Sequence, residues 1–413
     1  MLIEIKQQID KFPRMESHFC RAKTSKLYLH PDLSLSKMYT FFVEELEKQG
    51  RNHGVPSYAT YRRVFKQQNL SFSSPKKDQC ALCFTFHEGD ESVKENLRER
   101  YNLHTAEKTA VRAKKAVCKS EAQENPYILC AVFDLQQVIY PISKESAIFY
   151  KSRLSTFNFT VYNIANKDCN CFFWDETASR RGSSEIATCI FKSLEEYSEK
   201  QKIVKANLFS DGCYGQNKNS IIAAMLMYVV NKFSALTEIT LSYFETNHGQ
   251  NEGDSAHSAI SKAIATAGSI FMPSQLHPVI RLARKKSPYN VIPMTYKDFK
   301  ALSKEIRILN VKISESGKRI KWTDIKEIQV RKTEPDKLFL KTSHLENTYD
   351  CIRLKRLLKN PLDFPVAALN KHPINISRKK FDDLVSLCRG NHPVVRIPEC
   401  QQFIFNLPHE KNN

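Results

Sequence analysis

Three apolar segments of this chain each lead to an aspartate. The three are Asp134, after the run 128–133; Asp211, after the run 206–210; and Asp254, ten residues beyond the run 239–244. A carboxylate at the end of a buried strand is costly to fold unless positive charge meets it. Carboxylates delivered from different elements can together hold a pair of divalent metal ions, as in two-metal phosphoryl-transfer sites. We therefore predict that these aspartates are catalytic ligands of Mg²⁺ or Mn²⁺.

The length and charge of the chain limit the classes of protein to consider. With 413 residues, 41% of them apolar, the chain is long enough for two or three domains with real cores. Its net charge of +19 is high for this length and favours a polyanionic partner. We expect that partner to be DNA, bound through its phosphate backbone; the alternative is an ordinary cationic surface. A second copy of the chain is a further candidate partner.

The sequence predicts an intracellular location. The first eight residues are too short and too charged to form a signal peptide, so secretion is not expected. No apolar run approaches the roughly 20 residues that a membrane helix needs, so no membrane association is expected. The twelve cysteines then indicate a reducing compartment, where thiols or metal ligands are more common than disulfides. The basic clusters 353–356 and 378–380 could serve as a nuclear address, so the expected location is the nucleus, or otherwise the cytosol.

The order of predicted elements divides the chain into four segments. They are an N-terminal helical region (1–75), a Cys-x-x-Cys segment with a charged helix (76–125), a region of alternating strands and helices (126–284), and a basic α/β extension (285–413). In the third segment the order is three strands, a helix, a strand, a helix, a strand and a helix, which predicts a mixed sheet flanked by helices. This is the order of the ribonuclease-H-like fold of integrases and cut-and-paste transposases.

The acidic residues occupy matching positions in that order. The fold carries acids on its first strand, on its fourth strand and on the helix after the fifth. Those positions here hold Asp134, Asp211 and Asp254, with Glu252 as the reserve for the third. The separations of 77 and 43 residues leave room for the intervening elements.

Several motifs resemble a large family of mostly uncharacterised, transposon-derived animal proteins with a ribonuclease-H-like domain. The matching stretches are 17–21 (SHFCR), 75–83 (PKKDQCALC), 174–176 (WDE) with Arg181, Gly182 and Glu185, 210–219 (SDGCYGQNKN) and 248–257 (HGQNEGDSAH). The resemblance covers roughly residues 12–265 and implies a transposase or domesticated-transposase lineage. Because Met1 lies close to the first motif, we expect the chain to be a fragment of a longer element.

The segment 211–219 has the composition of a site for a sugar–phosphate backbone. Its two glycines permit a tight exit from the strand, and the following helix would point its positive N-terminus at the same place. The residues predicted to contact nucleic acid are Gln216, Asn217, Lys218 and Asn219. The alternative is a strand-to-helix turn in which the asparagines only cap the helix.

The segment 248–257 supplies the third acid and two histidines. If a helix begins near Glu252, Asp254 and His257 lie three residues apart on one face. His257 or His248 could then contact a scissile phosphate or a metal ion. The alternatives are a helix N-cap for Asp254 and an exposed or core-satisfied imidazole for each histidine.

Two further groups complete the predicted sites. Cys80 and Cys83 have the spacing of half a zinc site, and His104 and Cys20 are the predicted companions, with His18 and His87 as alternatives. Such a site would staple the N-terminal helices; buried free thiols are the other interpretation. In the cluster 281–286, Arg284, Lys285 and Lys286 are predicted to contact the phosphate backbone with little sequence preference.

These patterns support one leading hypothesis and two others. The first is a DDE-type transposase-like enzyme that cleaves or joins DNA by in-line phosphoryl transfer. The second is a catalytically silent, domesticated protein that binds DNA or chromatin. The third, a general RNA-binding protein, would need exposed aromatic residues on a sheet face, and no RNA-binding signature string occurs in the chain.

Overall fold

The fold is taken from a computed structural model of the chain. The structure describes residues 2–14, 27–30, 33–51, 54–72, 80–141, 148, 150–246, 248, 249, 251–302, 313–353 and 367–411. The chain forms two compact units, Met1–Arg98 and Glu99–Asn413. In the described part of the chain, no helix has both the length and the apolar character needed to cross a membrane.

The first unit is mainly helical. Its elements are α1 (Leu2–Asp10), β1 (Leu27–Leu29), α2 (Leu35–Lys48), α3 (Tyr58–Gln67), β2 (Leu70–Phe72), α4 (Ala81–Glu88) and the start of α5 (Glu91–Glu124). Ser57 caps α3, because its side chain accepts a hydrogen bond from Thr60 N. Apolar residues of α1, α2 and α3 share one core, in which Tyr61 donates a hydrogen bond to the buried amide of Gln8.

The second unit contains the rest of α5 and a mixed sheet flanked by helices. Its strands are β3 (Ile128–Leu135), β4 (Thr156–Asn163), β5 (Cys169–Asp175), β6 (Lys205–Ser210), β7 (Glu238–Tyr243), β8 (Asn290–Pro293), β9 (Glu327–Arg331), β10 (Lys337–Lys341) and β11 (Asp350–Arg353). Its further helices are α6 (Ser183–Gln201), α7 (Ser220–Lys232), α8 (Glu252–Thr266), α9 (Leu276–Leu282), α10 (Arg378–Ser386) and α11 (Pro398–Phe405).

The nine strands lie in the order β11-β10-β9-β7-β6-β3-β4-β5-β8. Strands β3, β4 and β5 form an antiparallel meander, and β6 and β7 then add in parallel on the other side of β3. This central order is that of the ribonuclease-H-like fold, so the predicted fold class is confirmed. Strands from the C-terminal segment 285–413 complete the same sheet, with β8 beside β5 and β9 beside β7.

Both faces of the central strands are covered, which explains their nearly continuous apolar sequences. Successive side chains of a strand point to opposite faces. In β3, Leu129, Ala131 and Phe133 pack in the core with α6 and α7, whereas Cys130 and Val132 pack in the core with α5. This burial fixes the register of β3, and the register in turn fixes the position of the aspartate at its end.

Candidate active site

The ends of β3 and β6 bring the first two acids to one edge of the sheet. The two strands pair in parallel with an offset of 77 residues, from Ile128 beside Lys205 to Val132 beside Phe209. The same offset, continued for two residues, places Asp134 level with Asp211. The sequence separation of these two aspartates is therefore equal to the register of the strands that carry them.

The segment after β7 brings the third acid to the same edge. Asn251 caps α8, and its side chain accepts a hydrogen bond from Asp254 N while Asp254 Oδ2 accepts one from Asn251 N, both at 3.0 Å. Backbone from this segment approaches both other aspartates. A Cβ atom placed on Gly249 would lie 2.2 Å from Asp211 Oδ1, and one placed on Gly253 would lie 3.5 Å from Asp134 Cβ. Glycine is therefore needed at 249 if the Asp211 side chain is to stay where it is.

The electrostatics of Asp134 show that the three acids face a common region. The pKa of Asp134 is raised to about 7, mainly by burial and also by the negative charges of Asp211 and Asp254. A hydrogen bond from Leu135 N lowers it in part. Among the described residues, no lysine or arginine forms an ion pair with this carboxylate. The three acids are therefore close enough for the charges of Asp211 and Asp254 to act on Asp134.

Glu252, the reserve for the third position, has another partner. Its Oε2 lies 2.5 Å from Lys115 Nζ, in an ion pair with α5. Asp254 carries no such ion pair in the described part of the chain, and its charge acts on Asp134. This contrast favours Asp254 as the third acid.

The imidazole of His257 lies next to the Asp134 carboxylate. Its Nδ1 is 3.6 Å from Asp134 Oδ2, and its Nε2 is 3.0 Å from Thr160 Oγ1 in a hydrogen bond. Burial lowers the pKa of His257 to about 4, so the imidazole is neutral at physiological pH. In this position His257 supports the Asp134 side chain from within the protein; a contact with a ligand stays a prediction.

The turn from 211 to 219 is held together by its own polar side chains. Asn219 caps α7 by accepting hydrogen bonds from Ile221 N and Ile222 N, and Asn217 Nδ2 donates to the carbonyl of Asp211. The capping alternative therefore describes Asn219 well. Gln216 is half-buried in the same turn.

Lys218 is buried in this turn, with its ammonium near Gly212. A Cβ atom placed on Gly212, the residue after Asp211, would lie 3.9 Å from Lys218 Nζ. The pKa of Lys218 is lowered to about 8, mainly by burial and also by the positive charge of nearby Lys326. The ammonium donates a hydrogen bond to Thr323 O at 2.8 Å. The charges that act on this ammonium are those of Lys326, Glu245 and Asp324.

The three basic residues after α9 differ from one another. Arg284 is half-buried, donates hydrogen bonds to Ser287 O and Lys167 O, and lies over the ring of Tyr289. Lys285 and Lys286 are exposed. Arg284 thus has a structural position, and the two lysines have the exposure that phosphate contacts require.

A Cys/His group forms a candidate metal centre. The ligand atoms of Cys80, Cys83, His104 and His248 all lie within 4.8 Å of one another. The predicted Cys20 lies outside the described residues, and His248 is the fourth member here. The sequence signal for His248 was its place in the segment 248–257, where we expected a metal or phosphate contact but not this set of partners. Burial lowers the pKa of His104 and brings that of His248 to about 4, so both imidazoles are neutral, as metal ligation requires.

In a second compact group, the two acids already have ion-pair and hydrogen-bond partners within the protein. The ligand atoms of Glu107, Glu245 and His344 also all lie within 4.8 Å of one another. Those of Asp134, Asp211 and Asp254 do not meet this criterion. Lys326 Nζ lies 2.5 Å from Glu245 Oε1, and Glu107 accepts hydrogen bonds from the Ser343 hydroxyl and His344 N. We therefore interpret this group as a structural network.

The comparisons with known proteins identify one family match and no activity. Residues 152–316 match a family described as a domain of unknown function, DUF7869. The match begins after β3 and ends before β9, so it includes Asp211 and Asp254 but not Asp134. No curated protein and no solved structure matches the chain.

Proposed function

We propose that this chain is a DDE-type transposase-like enzyme that cleaves DNA and joins strands by metal-dependent phosphoryl transfer. Asp134, Asp211 and Asp254 are the residues that would hold Mg²⁺ or Mn²⁺. Carboxylate oxygens are the ligands that both ions prefer. The uncharacterised transposon-derived family that the motifs resemble gives the same expectation.

The observation that carries the proposal is the state of Asp134. Its carboxylate is largely buried, faces two other acids, and has a pKa raised to about 7 by burial first and then by those acids. Without a bound cation, such an arrangement only destabilises the fold. The ligand oxygens of the three acids do not all lie within 4.8 Å of one another, and the two ions of a two-metal site lie about 4 Å apart.

The side chains around the trio have separate roles in this proposal. Bound divalent ions would polarise the scissile phosphodiester and favour deprotonation of the attacking hydroxyl. Asp254 is fixed by the capping box with Asn251, and Asp134 is supported by neutral His257. Lys218, whose ammonium lies near Gly212, would contribute a positive charge that favours an anionic substrate. The exposed Lys285 and Lys286 extend the attraction for a phosphate backbone.

A metal titration tests the proposal most directly. We expect calorimetry to detect millimolar or tighter Mn²⁺ binding to the wild-type chain, and no such binding to the Asp134→Asn/Asp211→Asn variant, because two of three ligands are lost. In the same variant, Mg²⁺- or Mn²⁺-dependent cleavage of duplex DNA should be about 10²- to 10³-fold or more slower than in the wild type. The matched control is Glu199→Gln/Glu410→Gln, which removes two exposed carboxylates outside the trio and should change neither.

The same measurement decides against the proposal if it fails. Equal and negligible Mn²⁺ binding by all three proteins, with no cleavage, would mean that the trio is not a metal site. The catalytically silent, domesticated DNA- or chromatin-binding protein would then be the better account. The net charge of +19 would suit that function equally well.

We also propose that Cys80, Cys83, His104 and His248 hold a structural Zn²⁺. Two thiolates and two neutral imidazoles are a common zinc ligand set. Glu245 Oε2 lies 3.5 Å from His104 Nδ1, where it can fix the tautomer that leaves Nε2 for the metal.

Metal analysis of the purified chain tests the zinc proposal. We expect about one zinc per wild-type chain and far less in Cys83→Ser, since a structural site needs all four ligands. Cys213→Ser, which removes an exposed thiol, is the control and should keep its zinc. Equal zinc content in both variants would contradict the assignment.

A further inference from the structure

Tyr214 lies in the turn that follows Asp211, and its ring is half exposed. The exposed fraction of the residue is 50%, which is high for a large aromatic side chain. The backbone beneath it is fixed. Asn217 N and Lys218 N donate hydrogen bonds to Cys213 O, and Asn219 Nδ2 donates one to Tyr214 O. The ring therefore projects from a rigid turn next to one of the three acids.

The ring itself is held at its far end. Tyr214 Oη donates a hydrogen bond to Thr323 O at 3.1 Å, and Lys218 Nζ donates to the same carbonyl at 2.8 Å. The Lys218 ammonium also lies 5.4 Å from the centroids of both Tyr214 and Tyr243. A surface tyrosine would ordinarily be free to rotate, but this one is anchored at its hydroxyl and close to a buried cation.

We propose that Tyr214 is a stacking platform for a nucleobase next to the phosphodiester that the acids cleave. Every base has a π-face, and base–aromatic stacking is tolerant of sequence. An anchored ring loses little conformational freedom when a base binds, so more of the stacking energy appears as affinity. The nearby ammonium complements the phosphate of the same nucleotide. This inference rests on the proposed function, because it names how that site would hold its substrate.

The competing interpretation is structural. Tyr214 could serve only to join its turn to Thr323, in which case its exposed surface would have no ligand. The two interpretations differ in what removal of the ring does to DNA binding, and in whether that effect depends on a particular base.

An abasic-site scan separates them. A fluorescein-labelled DNA duplex of mixed sequence with a single-stranded overhang is titrated with the full chain, without divalent metal, and followed by anisotropy. We expect Tyr214→Leu to weaken binding by roughly 5- to 100-fold. We also expect one abasic position to weaken wild-type binding by a similar factor. That lesion should have little further effect on Tyr214→Leu, because the two partners of one contact are then both missing.

Matched variants make the result specific. Tyr214→Phe keeps the ring and loses only its anchor, so it should retain most of the affinity. Tyr150→Leu removes a tyrosine that is 91% exposed and should bind like the wild type. Unchanged binding by Tyr214→Leu, or an equal loss at every abasic position, would overturn the inference. If the wild type cleaves DNA in an Asp134-dependent way while Tyr214→Leu is unaffected, only the stacking inference fails. If the wild type neither binds nor cleaves DNA, the proposed function fails with it.

Discussion

At pH 8, the Asp134→Asn variant is expected to be more stable than the wild-type chain, by up to about 4 kcal/mol. The pKa of Asp134 rises from 3.8 to about 7 in the folded protein, because the carboxyl is buried and two other acids lie near it. About three pKa units at 1.36 kcal/mol each give that upper limit. Asparagine has nearly the same shape as the protonated acid and carries no charge, so it removes the repulsion without opening a cavity.

The pH dependence follows from the direction of the shift. Between about pH 4 and pH 7 the folded protein keeps a proton on Asp134 that the unfolded chain has already lost. The wild-type free energy of unfolding therefore falls as pH rises through this window and levels off above it. His257, with its pKa lowered to about 4, has the opposite effect, since folding then opposes protonation below its ordinary value of 6.5. Because His257 is present in both proteins, most of its contribution cancels when the free energy of unfolding of the variant is compared with that of the wild type.

Urea unfolding at pH 5 and pH 8 measures the prediction. The stability advantage of Asp134→Asn should be largest at pH 8 and less than half as large at pH 5, in buffers without added divalent metal. Added Mn²⁺ should stabilise the wild type at pH 8 and leave the variant unchanged, because ligand binding to the folded state raises stability. If Asp134→Asn were less stable than the wild type at both pH values, Asp134 would be an ordinary structural residue, and the main support for the proposed function would be lost.

The parts of the fold that the sequence predicted well are those with local signals. The apolar run 128–133 could only be a strand covered on both faces, and the alternation of strands and helices after it allowed few topologies. The order of the central strands was therefore predictable, and with it the edge at which Asp134 and Asp211 end their strands. The helix start near Glu252 was also predictable, because asparagine and aspartate three residues apart are a capping pattern.

The parts that were not predictable depend on contacts between distant residues. Nothing local in 327–331 or 337–341 indicates that these strands continue the sheet beyond β7. The partnership of His248 with two cysteines more than 160 residues earlier in the chain has no sequence signature. The fate of Lys218 likewise depends on Thr323, which comes 105 residues later. Residue type and spacing indicate which groups are available for a site, and the tertiary fold decides which of them face it.

Replacing Glu327 by alanine is expected to destabilise the chain by about 3–5 kcal/mol, the usual cost of breaking a buried ion pair. Glu327 is 1% exposed and begins β9. Its carboxylate pairs with Lys114 of α5 and accepts hydrogen bonds from Ser242 Oγ at 2.7 Å and from the Tyr349 hydroxyl. Alanine would leave the Ser242 and Tyr349 hydroxyls without this acceptor and Lys114 without its ion-pair partner. Glutamine keeps the size and one carbonyl, and should cost less.

Chemical denaturation of Glu327→Ala, Glu327→Gln and a control measures this prediction. The control is Glu334→Ala, which removes an acid in the turn before β10 whose ion pairs with Arg331 and Lys337 are partly exposed. Exposed pairs contribute little, so this variant should lose less than about 1 kcal/mol. A loss for Glu327→Ala no greater than for the control would mean that Lys114, Ser242 and Tyr349 find water or other partners when the carboxylate is gone.

Glu327 is buried and Asp134 is mostly buried, and the two acids differ in the partners that the fold gives them. Burial alone would raise the pKa of Glu327, but Lys114 and the hydroxyl donors lower it below its ordinary value. The fold thus supplies everything that the Glu327 carboxylate needs. Asp134 is mostly buried, yet its charged neighbours are acids, and its pKa moves in the opposite direction. Neutralising Glu327 should therefore destabilise the protein, and neutralising Asp134 should stabilise it. An acid that the protein would fold better without is best explained by a cation that it binds from outside.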